Sequence, residues 1–108
     1  MEKIIQVGIL FSYYENLLNE KQRQVINRYY NEDLSLNEIA ALSGKTKQAV
    51  SDMINRTVSK LYKYEEELSL VKKTREYSNN LINLKAMVEG DFSKEEILTE
   101  ISRMIDNI

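Results

Sequence analysis

The sequence predicts an all-α protein built around a helix-turn-helix, and three observations favour this fold class. The 108 residues include no proline and only three glycines, so little interrupts regular helices. Apolar side chains recur three and four residues apart along most of the chain, which is the spacing of one helix face. Three capping-box patterns, in which an Asn or Ser is followed three residues later by Gln or Glu, predict helix starts at Asn19, Ser35 and Ser93.

The first part of the chain is predicted to form three helices. The first covers about residues 3–18, with a buried stripe of Ile4, Val7, Phe11, Tyr14 and Leu18. The second follows the Asn19 cap and is expected to bury Val25, Ile26, Tyr29 and Tyr30. The third is short: it starts at Ser35 and ends near Ser43 and Gly44, because glycine readily adopts the positive φ of a helix exit.

Longer helices are predicted in the second part. Thr46 caps a fourth helix, whose predicted buried stripe runs for three heptads through Val50, Ile54, Thr57, Leu61, Tyr64, Leu68 and Val71. Beyond Lys72 and Lys73 the pattern restarts as either a fifth helix or a kinked continuation of the fourth, with the stripe Tyr77, Leu81, Leu84 and Val88. Gly90 and Asp91 end this stretch, and a last helix follows Ser93 with the stripe Ile97, Ile101, Met104 and Ile108.

These elements predict a single domain over residues 1–108. Residues 1–34 supply supporting helices, residues 35–63 supply the helix-turn-helix with its recognition helix, and residues 64–108 form a C-terminal helical extension. The helix-turn-helix itself is predicted from fixed offsets in residues 35–56. Ala40 is small where two crossing helices touch, Gly44 allows the turn, and Val50 and Met53 return the second helix to the core.

The composition excludes several kinds of chemistry. The chain has no cysteine and no histidine, so it offers no disulfide, thiolate nucleophile, imidazole base or zinc site built from those residues. The glutamates at 65–67 and 95–96 are adjacent in sequence, and adjacent residues on a helix point about 100° apart rather than converging on one site. We therefore expect a binding protein rather than an enzyme, with no catalytic residue, no metal and no cofactor.

The N-terminal apolar run is interrupted by Gln6, Ser12 and Glu15, and no apolar stretch approaches the length of a membrane span. We therefore expect a cytoplasmic protein without membrane insertion. The formal net charge is −2, but it is unevenly distributed: residues 1–44, 45–63 and 64–108 carry −2, +4 and −4. Local charge matters more to a polyanion than the sum, so residues 45–63 are the candidate nucleic-acid surface.

In a helix-turn-helix, the second helix enters the major groove with its N-terminus first. Gln48 and Asn55 have the amide geometry to recognise adenine, and Lys47 can reach guanine acceptors. The other candidate contacts are better suited to phosphates or to the helix end. The full predicted set is Lys45, Thr46, Lys47, Gln48, Ser51, Asp52, Asn55, Arg56 and Lys60. The same polar surface is also typical of a solvated face or of a protein-docking module, so both alternatives stay open.

Ordered motifs in this region resemble the YlxM family of small bacterial proteins, whose helix-turn-helix is similar to sigma-factor region 4. They are Ser35-Leu36-Asn37-Glu38-Ile39-Ala40, Lys47-Gln48-Ala49-Val50 and Asn55-Arg56-Thr57. Further matches place the resemblance over about residues 8–73: Leu17-Leu18, Lys21-Gln22-Arg23, Tyr29-Tyr30 and Tyr64-Glu65-Glu66-Glu67-Leu68. The resemblance implies a DNA-binding or regulatory role and a link to the signal recognition particle, the GTPase-and-RNA machine of protein secretion.

Two functional hypotheses follow. The first is a regulator that binds double-stranded DNA through residues 45–60. The second is an accessory protein that binds the signal recognition particle through its GTPase or its RNA, without contacting DNA. The stripes of the first and fourth helices either pack together within one protomer or support a homodimer, and we expect a homodimer whose interface is formed by the C-terminal helices.

Overall fold

The computed structural model describes residues 2–108, which form six α-helices and no strand. The helices are α1 (Glu2–Tyr14), α2 (Glu20–Ile26), α3 (Leu36–Ser43), α4 (Lys47–Leu68), α5 (Leu70–Glu89) and α6 (Lys94–Asp106). A 3₁₀ turn (Glu15–Leu17) follows α1, and a π turn (Asn27–Asn31) continues α2. The predicted all-α fold class is therefore confirmed.

All three predicted capping boxes are present. The side chain of Asn19 accepts from the amide of Gln22 at 2.9 Å, and the Gln22 side chain accepts from the Asn19 amide at 3.0 Å. Ser35 with Glu38 and Ser93 with Glu96 repeat this arrangement at 3.0 and 3.1 Å. These contacts join residues only three apart, so local sequence is sufficient to specify them.

The chain divides into two compact units, and the first ends at Val71. In this unit α4 packs against α1, α2 and α3 around one apolar core. The buried apolar side chains are Val7, Leu10, Phe11, Tyr14, Leu18, Val25, Ile26, Ile39, Ala40, Val50, Ile54, Val58, Leu61 and Val71. One polar side chain, Thr57, is buried with them, and its hydroxyl donates to the carbonyl of Met53 at 2.7 Å.

Three details of the predicted N-terminal helices are wrong. The first α-helix ends at Tyr14 rather than near residue 18, and the chain tightens into the 3₁₀ turn before Leu18. Ile4 is exposed because it lies at the rim of a cavity instead of against another helix. Tyr29 is also exposed, since the π turn holds more residues per turn than an α-helix and shifts the side chains after Ile26 out of phase.

The fourth helix ends earlier than its apolar stripe predicted. It stops at Leu68, which is exposed, and Ser69 adopts a left-handed conformation with φ 54°. Val71 is buried as predicted, but it belongs to α5, which starts at Leu70. The structure therefore resolves the open alternative in favour of a separate fifth helix, starting before Lys72.

A hydrogen-bond network within the first unit holds this break. The Tyr14 hydroxyl donates to a carboxylate oxygen of Glu65 at 2.5 Å and accepts from the amide of Leu70 at 3.0 Å. The same Glu65 oxygen accepts from the amide of Val71 at 3.0 Å. The first amides of an α-helix have no acceptor within their own helix. Side chains from α1 and α4 thus provide acceptors for two such amides in the first turn of α5. Burial, followed by the hydrogen bond to Glu65, raises the pKa of Tyr14.

The second unit, Lys72–Ile108, contains most of α5 and all of α6. None of its side chains is fully buried, and the half-buried ones are Asn80, Leu84, Met87, Ile97, Glu100, Ile101 and Met104. Four members of the two apolar stripes predicted for these helices are exposed: Tyr77, Leu81, Val88 and Ile108.

The predicted boundary between residues 63 and 64 falls inside α4 and marks no helix end. The single-domain organisation stays a prediction, which coincident unfolding transitions would test. Six of the seven tyrosines precede Lys72, so tyrosine absorbance reports mainly on the first unit, whereas far-UV circular dichroism reports on all six helices. A single cooperative domain requires the same midpoint by both signals.

Candidate nucleic-acid interface

The turn between α3 and α4 has the features that the sequence predicted. Gly44 adopts φ 68°, and its amide donates to the carbonyl of Ala40. The amide of Lys45 donates to the same carbonyl at 3.1 Å, and the Ser43 hydroxyl donates to the carbonyl of Ile39 at 2.8 Å. These bonds satisfy the last carbonyls of α3 and fix the direction in which α4 leaves the turn.

Packing between the two helices also follows the predicted spacing. Ala40 and Val50 are buried, and Met53 is half-buried against the core. α3 packs against the N-terminal half of a much longer α4, which has 22 residues. The helix-turn-helix is therefore confirmed, and α3 supports the segment that carries the candidate site.

Thr46 caps α4 as predicted. Its side-chain oxygen accepts from the amide of Ala49 at 3.1 Å, and its carbonyl accepts from the amide of Val50. Among the described residues, the amides of Lys47 and Gln48 have no acceptor. The first turn of α4 therefore offers two N–H donors at the positive end of the helix dipole, an arrangement suited to an anion.

The predicted contact residues lie on the solvent side of this helix and its turn. Eight are exposed, and only Ser51 is half-buried; the exposed ones are Lys45, Thr46, Lys47, Gln48, Asp52, Asn55, Arg56 and Lys60. Around the axis of α4, Gln48 and Asp52 form a central strip with one flank on each side. Ser51 and Asn55 lie on one flank, and Arg56 and Lys60 lie on the other.

The central strip is preorganised by one hydrogen bond. The Gln48 amide nitrogen donates to the Asp52 carboxylate at 2.9 Å. This bond uses one of the two amide hydrogens, so the other N–H and the carbonyl remain for the paired contacts that an adenine edge offers. The Arg56 Nε folds back toward the Asp52 carbonyl at 3.4 Å, which leaves its two terminal nitrogens for other acceptors.

One flank of α4 borders a cavity of about 620 Å³. Ser51 and Asn55 line it together with Tyr29 and Tyr30, whose rings meet edge to face with centroids 5.0 Å apart. Burial raises the pKa of Tyr30, and the neighbouring Tyr29 adds to the shift. The structure thus brings Asn55 to the same cavity as two tyrosines that lie 26 and 25 residues before it and that were both predicted to be buried.

The other flank of α4 faces α2, where the structure reveals two cations that sequence reasoning missed. Lys21 lines a cavity with Arg56 and Lys60, and both Lys21 and Arg28 line an adjoining cavity with Lys45. Residues 21–31 contain three basic side chains and no acidic one, but the net charge of −2 summed over residues 1–44 hides this short basic stretch. Only the packing of α2 against α4 brings Lys21 and Arg28 together with the predicted residues.

No set of three or more carboxylates within residues 2–108 converges as a metal site would. No helix in this part of the chain is both long enough and apolar enough to span a bilayer.

The fold and the exposed face of α4 define an all-helical helix-turn-helix protein. Comparison with known families agrees: residues 1–103 match the model of the UPF0122 family, described as "Putative helix-turn-helix protein, YlxM / p13 like". The chain belongs to this family, which confirms the resemblance found in the sequence.

Individual relatives are similar over nearly their whole length. A UPF0122 protein of Halalkalibacterium halodurans is 41% identical over 98 residues, covering 91% of this chain and 90% of the relative. The UPF0122 protein YlxM of Bacillus subtilis is 38% identical over 104 residues, covering 96% and 94%. A UPF0122 protein of Bacillus cereus is 35% identical over 108 residues, covering 100% and 98%. The similarity therefore includes the second unit as well as the helix-turn-helix.

Proposed function

We propose that this protein is a non-enzymatic, cytoplasmic regulator that binds double-stranded DNA through the N-terminal half of α4. The observation that carries the proposal is the exposed polar face of this half, which α3 supports and Thr46 caps. A helix presented in this way can enter the major groove with its N-terminus first.

The proposed contacts divide into base recognition and phosphate binding. Gln48 and Asn55 would pair with adenine edges, and Lys47 would reach guanine acceptors. Lys45, Arg56 and Lys60 would bind phosphates, and the Thr46 hydroxyl and the first amides of α4 would hold another. Asp52 would orient Gln48 and can accept from a cytosine amino group, while Ser51 lies beside Asn55.

A binding titration tests this proposal. The full chain is titrated by fluorescence anisotropy against a duplex carrying the promoter of its own gene and against an unrelated duplex. Each well-formed pair of bonds to a base contributes about 1–3 kcal/mol of discrimination, so Gln48→Ala/Asn55→Ala should lower affinity for the cognate duplex at least tenfold. Affinity for the unrelated duplex should change little.

The matched control is Asn79→Ala/Asn83→Ala, which removes two exposed amides from α5. This variant should bind both duplexes as the wild type does. The proposal is wrong if the wild type binds neither duplex at low salt. A fall in affinity that is equal for both duplexes would mean that Gln48 and Asn55 do not recognise bases.

We also propose that the protein acts as a homodimer whose contact lies in α5 and α6. The exposed apolar side chains of the second unit favour this arrangement; they are Tyr77, Leu81, Ile82, Val88, Phe92, Leu98, Ile105 and Ile108. Apolar surface of this extent is typical of a protein interface. Sedimentation equilibrium at tens of micromolar should give twice the mass of 12.7 kDa, and Leu81→Glu/Val88→Glu should restore the monomer.

The same apolar unit favours a second candidate function, an accessory protein of the signal recognition particle. The second unit, Lys72–Ile108, carries six basic and seven acidic side chains, so it has no excess of cations for a phosphate backbone, and its exposed apolar side chains suit a protein surface such as the GTPase better than RNA. In this case the assembled particle would bind the full chain, and Gln48→Ala/Asn55→Ala would leave the complex intact. Loss of binding in Leu81→Glu/Val88→Glu, measured at a concentration where the wild type is also monomeric, would assign the contact to α5.

A further inference from the structure

Two adjoining cavities form a groove on the α2 side of α4. One has a volume of about 240 Å³ and the other about 360 Å³. Lys21 and Met53 line both, so the two cavities continue into each other. We call this surface the cationic groove and define it by its five basic side chains, Lys21, Arg28, Lys45, Arg56 and Lys60.

The charges on the two flanks of α4 differ. The cationic groove has five basic side chains and no carboxylate in its lining. Among the described residues that line the cavity on the opposite flank, one is basic, Lys3, and two are acidic, Asp33 and Glu38. No salt bridge engages any of the five groove cations within residues 2–108. In the described part of the chain, one flank therefore carries only positive charges, whereas the other carries charges of both signs.

Five like charges along one groove repel one another, so the groove is suited to a ligand that carries several negative charges in a row. Lys45 lies in the turn, Arg56 lies in the N-terminal half of α4 that is proposed to face DNA, and Lys60 follows one helical turn after Arg56. A helix in the major groove has a phosphate backbone on each side. The position of the groove beside α4 therefore favours a DNA strand over an acidic polypeptide.

We infer that Lys21 and Arg28 bind phosphates, and that one strand of the duplex follows the cationic groove between α2 and α4. This inference rests on the proposed DNA binding and adds a second element, α2 with its π turn, to the interface. It also sets the orientation of the duplex, because the strand lies on the α2 flank and not on the flank lined by Asp33 and Glu38. Phosphate contacts carry no base information, so this part of the affinity is independent of sequence.

The test is Lys21→Gln/Arg28→Gln in the full chain, titrated against the cognate and the unrelated duplex over a series of salt concentrations. Each phosphate contact contributes about 0.9 to the slope of log K against log salt concentration. The double variant should therefore reduce the steepness of that slope by about 1.8, and its affinity for both duplexes should fall by the same factor. Lys21 lies in the first turn of α2, where loss of a cation does not oppose the helix dipole, so the fold should be retained.

The matched control is Lys85→Gln/Lys94→Gln, which removes the same charge from exposed positions of α5 and α6. Its slope should equal that of the wild type. An equal reduction of the salt slope in both double variants would mean that net charge alone causes the effect, which would overturn the inference. A wild-type slope in Lys21→Gln/Arg28→Gln would overturn it as well.

Two further outcomes separate this inference from the proposed function. If Gln48→Ala/Asn55→Ala abolishes cognate binding while Lys21→Gln/Arg28→Gln changes nothing, DNA binding stands and the groove contact is wrong. If the wild type binds an oligoglutamate peptide more tightly than either duplex at equal salt, and the groove variant loses that binding, the occupant is an acidic polypeptide. This last result would overturn the assignment to DNA.

Discussion

The two units of this chain have helices of similar length but very different burial. α4 has 22 residues and buries Val50, Ile54, Thr57, Val58 and Leu61. α5 has 20 residues and buries only Val71, which belongs to the first unit. Both helices carry apolar residues at the same three- and four-residue spacing. Apolar residues at this spacing therefore share a helix face, but the spacing does not show whether the chain itself covers that face.

The difference has consequences for stability. Most helical stability in proteins comes from packing an apolar face, since isolated helices of this length are marginal in water. The first unit has fourteen buried apolar side chains to supply that packing, whereas the described side chains of the second unit are at most half-buried. We therefore expect equivalent substitutions in the two units to have unequal effects.

The largest expected difference is between two leucine truncations. Leu61→Ala removes a completely buried side chain and should lower the free energy of unfolding by about 2–5 kcal/mol. Leu81→Ala removes a side chain that is 64% exposed and should change it by no more than about 0.5 kcal/mol. Urea unfolding measures both at concentrations where sedimentation shows a monomer. Equal losses there would mean that the second unit has a core of its own.

A second contrast concerns the network that starts α5. Tyr14→Phe removes the hydroxyl that joins Glu65 to the amide of Leu70, and it should cost about 1–2 kcal/mol because the partly buried amide of Leu70 is left without its acceptor. Tyr13→Phe changes a more exposed neighbour and should cost little. Thermal unfolding followed by circular dichroism compares the two variants. If they are equally stable, the network does not contribute to the break after α4.

Capping provides a smaller and better matched contrast. Ser35→Ala and Ser93→Ala each remove a side chain that accepts from an amide at 3.1 Å, and each should destabilise its helix by about 1 kcal/mol. Loss of the Ser35 cap should lower the stability of the first unit, whereas loss of the Ser93 cap should increase amide exchange only in α6. Hydrogen exchange resolved by residue tests this; faster exchange in α3 of Ser93→Ala would contradict it.

The smallest expected effect is on how the stability of the fold depends on pH in the acid range. The backbone amides of Ser35 and Ser93, together with their hydroxyl groups, lower the pKa of Glu38 and Glu96 below the ordinary value of 4.5. A lowered folded-state pKa adds stability that is fully present above pH 4.5 and is lost as the pH falls through the folded-state pKa. Glu38→Gln and Glu96→Gln should reduce this dependence in an acid titration of helicity. If both variants lose helicity over the same pH range as the wild type, the pH dependence comes from other carboxylates.

The features that local sequence could predict are those held by local contacts. The capping boxes and the turn at Gly44 are held by hydrogen bonds between residues no more than five apart, and all were predicted. The break at Ser69 could not be predicted, because a serine at positive φ gives no signal by itself and Tyr14 lies 51 residues from Glu65. In the candidate site, the exposed face of α4 followed from helical spacing. Lys21 and Arg28 could not be assigned, because only tertiary packing places α2 beside α4.

The long separation between Tyr14 and Glu65 also affects how the protein is made. The ribosome synthesises α1 first, but Val7, Leu10 and Phe11 are buried only when α4 has followed. At about 5–20 residues per second, the 51 residues from Tyr14 to Glu65 take about 3–10 s to synthesise. During that interval the apolar face of α1 is uncovered on the nascent chain, where general chaperones can bind it. The first unit can complete its core only after Val71 has left the ribosome.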